Sequence, residues 1–172
     1  MHQFGTQLTE LKLVHVEEIT TNAIQNILQT TPQLTKLELQ NCSLLNSMQT
    51  FKSSQNFKTE NLKNLILTSK CCAEFIRKLL QILKSVENLE FGTSVELTNE
   101  ILQLSIGNWQ HLKTFKIGHS KNLDLQSIQF LLENCPNIQE ISDLSSFQLI
   151  NKTEISRLQK SLSKSNLDVH IY

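Results

Sequence analysis

Glycine and proline are scarce in this chain, with four Gly and two Pro in 172 residues. Such scarcity excludes glycine-rich phosphate loops and proline-rich or collagen-like architectures. An excess of either charge is also missing. Sixteen basic residues balance sixteen acidic ones, so the positive footprint that nucleic acid or an anionic membrane surface requires is absent. The most apolar stretch, residues 75–83, is interrupted by Arg77, Lys78 and Gln81 and is too short to span a bilayer. The first seven residues carry neither the basic region nor the apolar stretch of an export signal. Neither G-x-S-x-G nor H-E-x-x-H occurs, so neither an enzyme nor a cofactor is expected.

The four cysteines, Cys42, Cys71, Cys72 and Cys135, have no metal-ligand spacing. Cys71 and Cys72 are adjacent, a poor arrangement for bonding to each other. They read as free, packed thiols of a reducing compartment, the cytoplasm or nucleus. Among the histidines only His15 and His119 share a repeat position. They lie four strands apart, roughly 19 Å at about 4.8 Å per strand, which excludes a shared metal.

What the chain does contain is one apolar hexapeptide, L-x-x-L-x-L, written six times. The copies begin at Leu8, Leu34, Leu62, Val86, Leu112 and Ile138, in steps of 26, 28, 24, 26 and 26 residues. Hydrophobic residues make up 39% of the chain, enough for a continuous core and too much for a disordered polymer. In the unit starting at Leu112, Phe115 and Ile117 alternate with Thr114, Lys116 and Gly118, the period of a strand with one buried face. Leu123 then turns inward, Asp124 or Ser127 caps a helix carrying Ile128, Leu131 and Leu132, and Pro136 stops it. The other units follow the same scheme: Ile24, Ile27 and Leu28; Phe75, Leu79 and Leu83; Ile101 and Leu104 supply the helical stripes. Thr31, Trp109 and Cys135 occupy one slot, three residues before the next leading hydrophobe, and are expected to pack inside.

Two regions depart from the pattern. The second unit runs through Met48, Phe51 and Phe57 amid a polar stretch from Lys52 to Asn61, predicting a short or frayed helix and a loop. Asp143 takes a position that is Leu, Phe or Ile in the other copies, which predicts a distorted or closing core. Beyond it, residues 151–172 form a closing unit: Thr153 and Glu154 open a helix along Ile155, Leu158 and Leu162, and Leu167, Val169 and Ile171 make a last strand. Leu8, by contrast, begins a repeat with little ahead of it, although end repeats normally need a polar cap. The amino-terminal edge is therefore expected to contact an upstream domain or a partner.

A repeat of this length and spelling resembles a leucine-rich repeat. The units are similar to its cysteine-containing and ribonuclease-inhibitor-like classes, through Cys42 after Leu34-Leu37-Leu39, Leu97-Thr98 and Leu123-Asp124 at the turn, and Asn134-Cys135-Pro136-Asn137-Ile138 at the close. The resemblance implies an α/β solenoid formed by residues 1–172 as one domain, with about seven parallel strands on the concave side and helices on the convex side. It also implies a protein-interaction module like the substrate-reading repeats of F-box ubiquitin-ligase receptors, although no F-box is present. A structural scaffold and a ribonuclease-inhibitor-like enzyme inhibitor are the alternatives.

The expected partner surface is the concave strand face. It collects Glu10, Lys36, Asn64, Asn88, Thr114 and Glu140 at position three. Position five gives Lys12, Glu38, Ile66, Glu90 and Lys116, and position seven gives Gln40. His170 and Tyr172 extend this face at the carboxyl end. Polar groups dominate these columns, so a protein partner that reads hydrogen bonds is expected rather than one held by large apolar anchors.

Overall fold

The computed structural model describes residues 6–42, 44–45, 59–71, 73–93, 95–142, 144, 147–164 and 170–171. Within them the chain alternates strands and helices. The strands are β1 (Glu10–Val14), β2 (Ile19–Thr20), β3 (Lys36–Gln40), β4 (Leu44–Leu45), β5 (Asn64–Leu67), β6 (Asn88–Phe91), β7 (Thr114–Ile117), β8 (Glu140–Ile141) and β9 (His170–Ile171). The helices are α1 (Thr21–Thr30), α2 (Ala73–Ile82), α3 (Asn99–Ser105), α4 (Leu125–Asn134) and α5 (Lys152–Lys164). Seven strands form one sheet in the order β1-β3-β5-β6-β7-β8-β9, and β2 and β4 pair separately. All the pairings are parallel.

The sheet's register follows the repeat. Leu37 sits beside Leu11 and Leu65, Leu89 beside Leu65 and Phe115, and Ile141 beside Phe115. Equal positions of successive units are therefore neighbours, and their side chains fall on one face. A parallel strand must return through a crossover; helices provide it, covering that face, in every connection except β3 to β5, most of which lies outside the described residues. Leu37, Leu65, Leu89, Phe115 and Ile141 are all fully buried. They join one core cluster that extends from Ile19 to Leu162.

Short polar motifs start the helices. Thr20 and Thr98 are N-caps whose hydroxyls accept from the Ala23 and Ile101 amides at 3.1 and 3.3 Å. Asp124 and Ser127 form a reciprocal capping box at α4. At α5 the cap lies earlier than expected. Asn151, rather than Thr153, accepts from the Glu154 amide, and the Glu154 carboxylate accepts from the Asn151 amide, at 3.0 and 2.9 Å.

Helix α3 corrects one expected stripe. Ile101 is buried, but Leu104 is 48% exposed and Leu102 is buried in its place. The helix has only seven residues and tightens into a 3₁₀ turn at Ile106–Asn108. Burial of Ile101, Leu102, Ser105 and Ile106 centres the core-facing arc between them, and at 100° per residue Leu104 points away.

The packing slot before each strand holds. Thr31, Thr59, Leu83, Trp109 and Cys135 are all buried. The two threonine hydroxyls donate to the Ile27 and Ile82 carbonyls at 2.6 and 2.5 Å. The Trp109 indole N–H finds no hydrogen-bond partner among the described residues, which costs about 1–3 kcal/mol. Its ring packs at a tilt against Phe115, centroids 6.5 Å apart, and Phe115 in turn lies 6.0 Å from Phe91. Most of the loop expected in the second unit, Asp143, most of the expected last strand and Tyr172 lie outside the described residues.

Candidate functional site: the open face of the sheet

The face of the sheet turned away from the helices presents positions three and five of each unit. Strand register sets Glu10, Lys36, Asn64, Asn88, Thr114, Glu140 and His170 side by side in one row. A second row places Lys12, Glu38, Ile66, Glu90 and Lys116 next to one another. The residues expected at one surface are thus brought together, apart from Tyr172, which is not among those described. Gln40 ends β3 beside Val14.

These rows divide into three zones. At the amino-terminal side Lys12 and Lys36 approach Glu38 at 2.7 and 3.6 Å, and the Gln40 amide donates to the same carboxylate. Glu38 departs from a solvated column, since only 6% of it is exposed. Its charge is consumed within the sheet, and the Lys12 hydrogen bond holds its carboxyl below the usual glutamate value. At the other side Lys116 meets Glu140 at 2.9 Å.

The centre is different. Asn88 donates from Nδ2 to Asn64 Oδ1 at 2.7 Å, and Asn64 reaches the Thr35 carbonyl at 3.4 Å. Ile66 is half-buried beside them and Glu90 is exposed. Glu90 has no ion-pair partner among the described residues, whose ion pairs involve Glu38, Glu74, Glu87 and Glu140. These groups line a shallow concavity of about 350 Å³. It offers amide and hydroxyl hydrogen bonds, an apolar contact at Ile66 and the Glu90 carboxylate, and Lys36, Lys116 and Glu140 line it as well. Such a surface can read a polypeptide.

One charged group escaped the sequence reading. Glu87 accepts from Lys63 at 2.8 Å and Lys113 at 2.7 Å, linking three strands at their entry. The lysine hydrogen bonds, Lys113 first, lower its carboxyl from 4.5 to about 2. The signal was present as Lys-Glu-Lys at position two of successive units.

Cys42, Cys71 and Cys135 are buried, and Cys42 and Cys135 are free thiols. Burial raises the Cys135 thiol to about 12, so it carries negligible thiolate at neutral pH and packs as an apolar group. Cys72 lies outside the described residues. Among the described residues no group of three or more His, Cys, Asp or Glu could hold a metal ion, and no helix is long and apolar enough to cross a membrane. No protein-family model matches the chain, and no curated protein matches it.

Proposed function

We propose that this chain is a leucine-rich-repeat solenoid, concave on its strand side, which binds a protein partner there and catalyses nothing itself. The observation that carries the reading is the centre of the strand face. Asn64, Ile66, Asn88 and Glu90 stand in register over a buried core, while the charges on either side neutralise one another. A rigid sheet of this kind holds its polar groups in place before a partner arrives, which lowers the ordering cost of binding. The resemblance of the repeats, at Cys42 and Cys135 in particular, extends the proposal to the substrate-reading role of an F-box-type ubiquitin-ligase receptor in the cytoplasm or nucleus. That extension is analogy at the level of repeat class.

Affinity capture from cell lysate tests the partner surface. The comparison is between wild type, Glu90→Lys with Ile66→Asp on the strand face, and Arg157→Glu on α5. The strand-face variant should lose bound protein by about fivefold or more for each well-packed contact removed, roughly 1 kcal/mol. Arg157→Glu should retain it. An unchanged captured set in the strand-face variant rejects this surface. The ligase role is tested by the coding sequence upstream of Met1: an F-box there supports it, and further repeats alone remove its support.

A further inference from the structure

Among the described residues no strand pairs with the outer edge of β1, the end of the strand order. The Thr9 carbonyl accepts the Thr35 and Lys36 amides at 2.7 and 3.1 Å, and the His15 amide donates to the Gln40 carbonyl at 3.0 Å. Backbone groups of a strand alternate sides with a period of two. Leu11 and Leu13 therefore also turn their backbone toward β3, and Glu10, Lys12 and Val14 turn theirs outward. The apolar side chains at this end are left incomplete. Leu8, Leu11, Leu13 and Ile27 are half-buried, and Val14 and Val16 are 39% and 37% exposed.

An exposed edge of this kind is a template for another strand. We propose that the occupant is a second copy of this chain, its β1 antiparallel to the first across a two-fold axis at Leu11. Charge complementarity selects both occupant and register. Only outward-facing residues can exchange backbone hydrogen bonds in an antiparallel pair, so Glu10, Lys12 and Val14 must meet one another. Centring the axis on Lys12 opposes Lys12 to itself, and centring it on Glu10 opposes Glu10 to itself, both unfavourable. Centring it on Leu11 sets Glu10 of each copy opposite Lys12 of the other, twice by symmetry. The same register places Leu11 opposite Leu11 at the closer, non-hydrogen-bonded spacing, where each covers the other's half-exposed side. Lys12 is 53% exposed despite its bond to Glu38, so it can face a second carboxylate.

Sedimentation equilibrium of the 172-residue chain tests this, with circular dichroism to establish that each variant is folded. The wild type should show a concentration-dependent monomer–dimer equilibrium. Glu10 is exposed and makes no ion pair among the described residues, so Glu10→Lys should fold. It converts two attractive pairs into two repulsive ones and should weaken the dimer by about tenfold or more. The charge swap Glu10→Lys with Lys12→Glu restores opposite charges in this register alone and should recover most of the loss. A wild type that stays monomeric overturns the proposal, and that is also what a foreign or upstream strand as sole occupant would give. A dimer indifferent to Glu10→Lys uses another surface and overturns it equally. So does a folded charge swap that remains as weak as the single variant.

Discussion

Strands β1 and β6 share one spelling and differ in what surrounds them. Leu11 and Leu13 of β1 are half-buried, whereas Leu89 and Phe91 of β6 are within 1% of complete burial. Strand β6 lies between β5 and β7, and among the described residues β1 has a strand, β3, on one side only. In a parallel sheet paired in register, the burial of a repeated residue is supplied by the strands beside it. Charge tells the same story. Glu38 takes its nearer lysine, Lys12, from the neighbouring strand β1 and a second, Lys36, from its own strand. Glu87 takes both of its lysines, Lys63 and Lys113, from the units on either side.

The comparison breaks most directly at the leucines. Leu89→Asp buries an unpaired charge between two neighbours and should cost roughly 4 kcal/mol or more, whereas Leu11→Asp should cost about half that or less because solvent reaches the edge. Thr114→Ala on the open face should cost within about 0.5 kcal/mol. Denaturant titration measures all three. Equal losses for Leu89 and Leu11 would mean that the edge is covered in solution, which is the outcome a tight dimer through β1 would produce at high concentration.

A smaller effect separates two glycines that follow equivalent strands. A Cβ on Gly92 would lie 2.8 Å from the Thr68 Cα, whereas one on Gly118 would come no closer than 3.5 Å to Thr93. Neither glycine has a positive φ, so the difference is one of space alone. Gly92→Ala should destabilise by about 1–3 kcal/mol, because backbone must move, and Gly118→Ala by far less. Thermal unfolding of the two variants side by side reads the difference, and equal melting temperatures would refute the close approach of the two units at Thr68.

The smallest effect is on pH dependence. Glu87 has a native value of about 2 instead of 4.5. A carboxylate depressed in the fold stabilises it above the unfolded value, and that contribution fades as pH falls through the native one. Glu87→Gln should therefore flatten the loss of stability between about pH 4.5 and 2, and should lower stability at neutral pH by less than about 1 kcal/mol because the group is near the surface. An acid limb identical to that of the wild type would show that the two lysines do not hold this carboxylate in solution.

Much of the open face was legible in the residues. Asn64 and Asn88 occupy the same position of successive units, and their hydrogen bond follows from register alone. The cap at Asp124 was legible for a related reason, since a cap bonds to amides within three residues of it. The burial of Glu38 was not legible. It depends on Lys12, from the preceding unit, and on Gln40 folding back over the same carboxylate. The outward turn of Leu104 was hidden too, because a seven-residue helix can be rotated by its 3₁₀ end without violating its own apolar pattern.

The sequence by itself determined the alternation of strand and helix, the step between strands and the face each strand residue takes. All three are periodic properties of neighbouring residues, written in spacings of two, of three and four, and of about twenty-six. Tertiary structure alone decided which charges are consumed and which stand free, and which of several identical leucines are completely buried. Those outcomes depend on distances between side chains in different units, as in Lys12–Glu38, Lys63–Glu87 and Lys116–Glu140, and on whether another strand lies alongside, which no local pattern encodes.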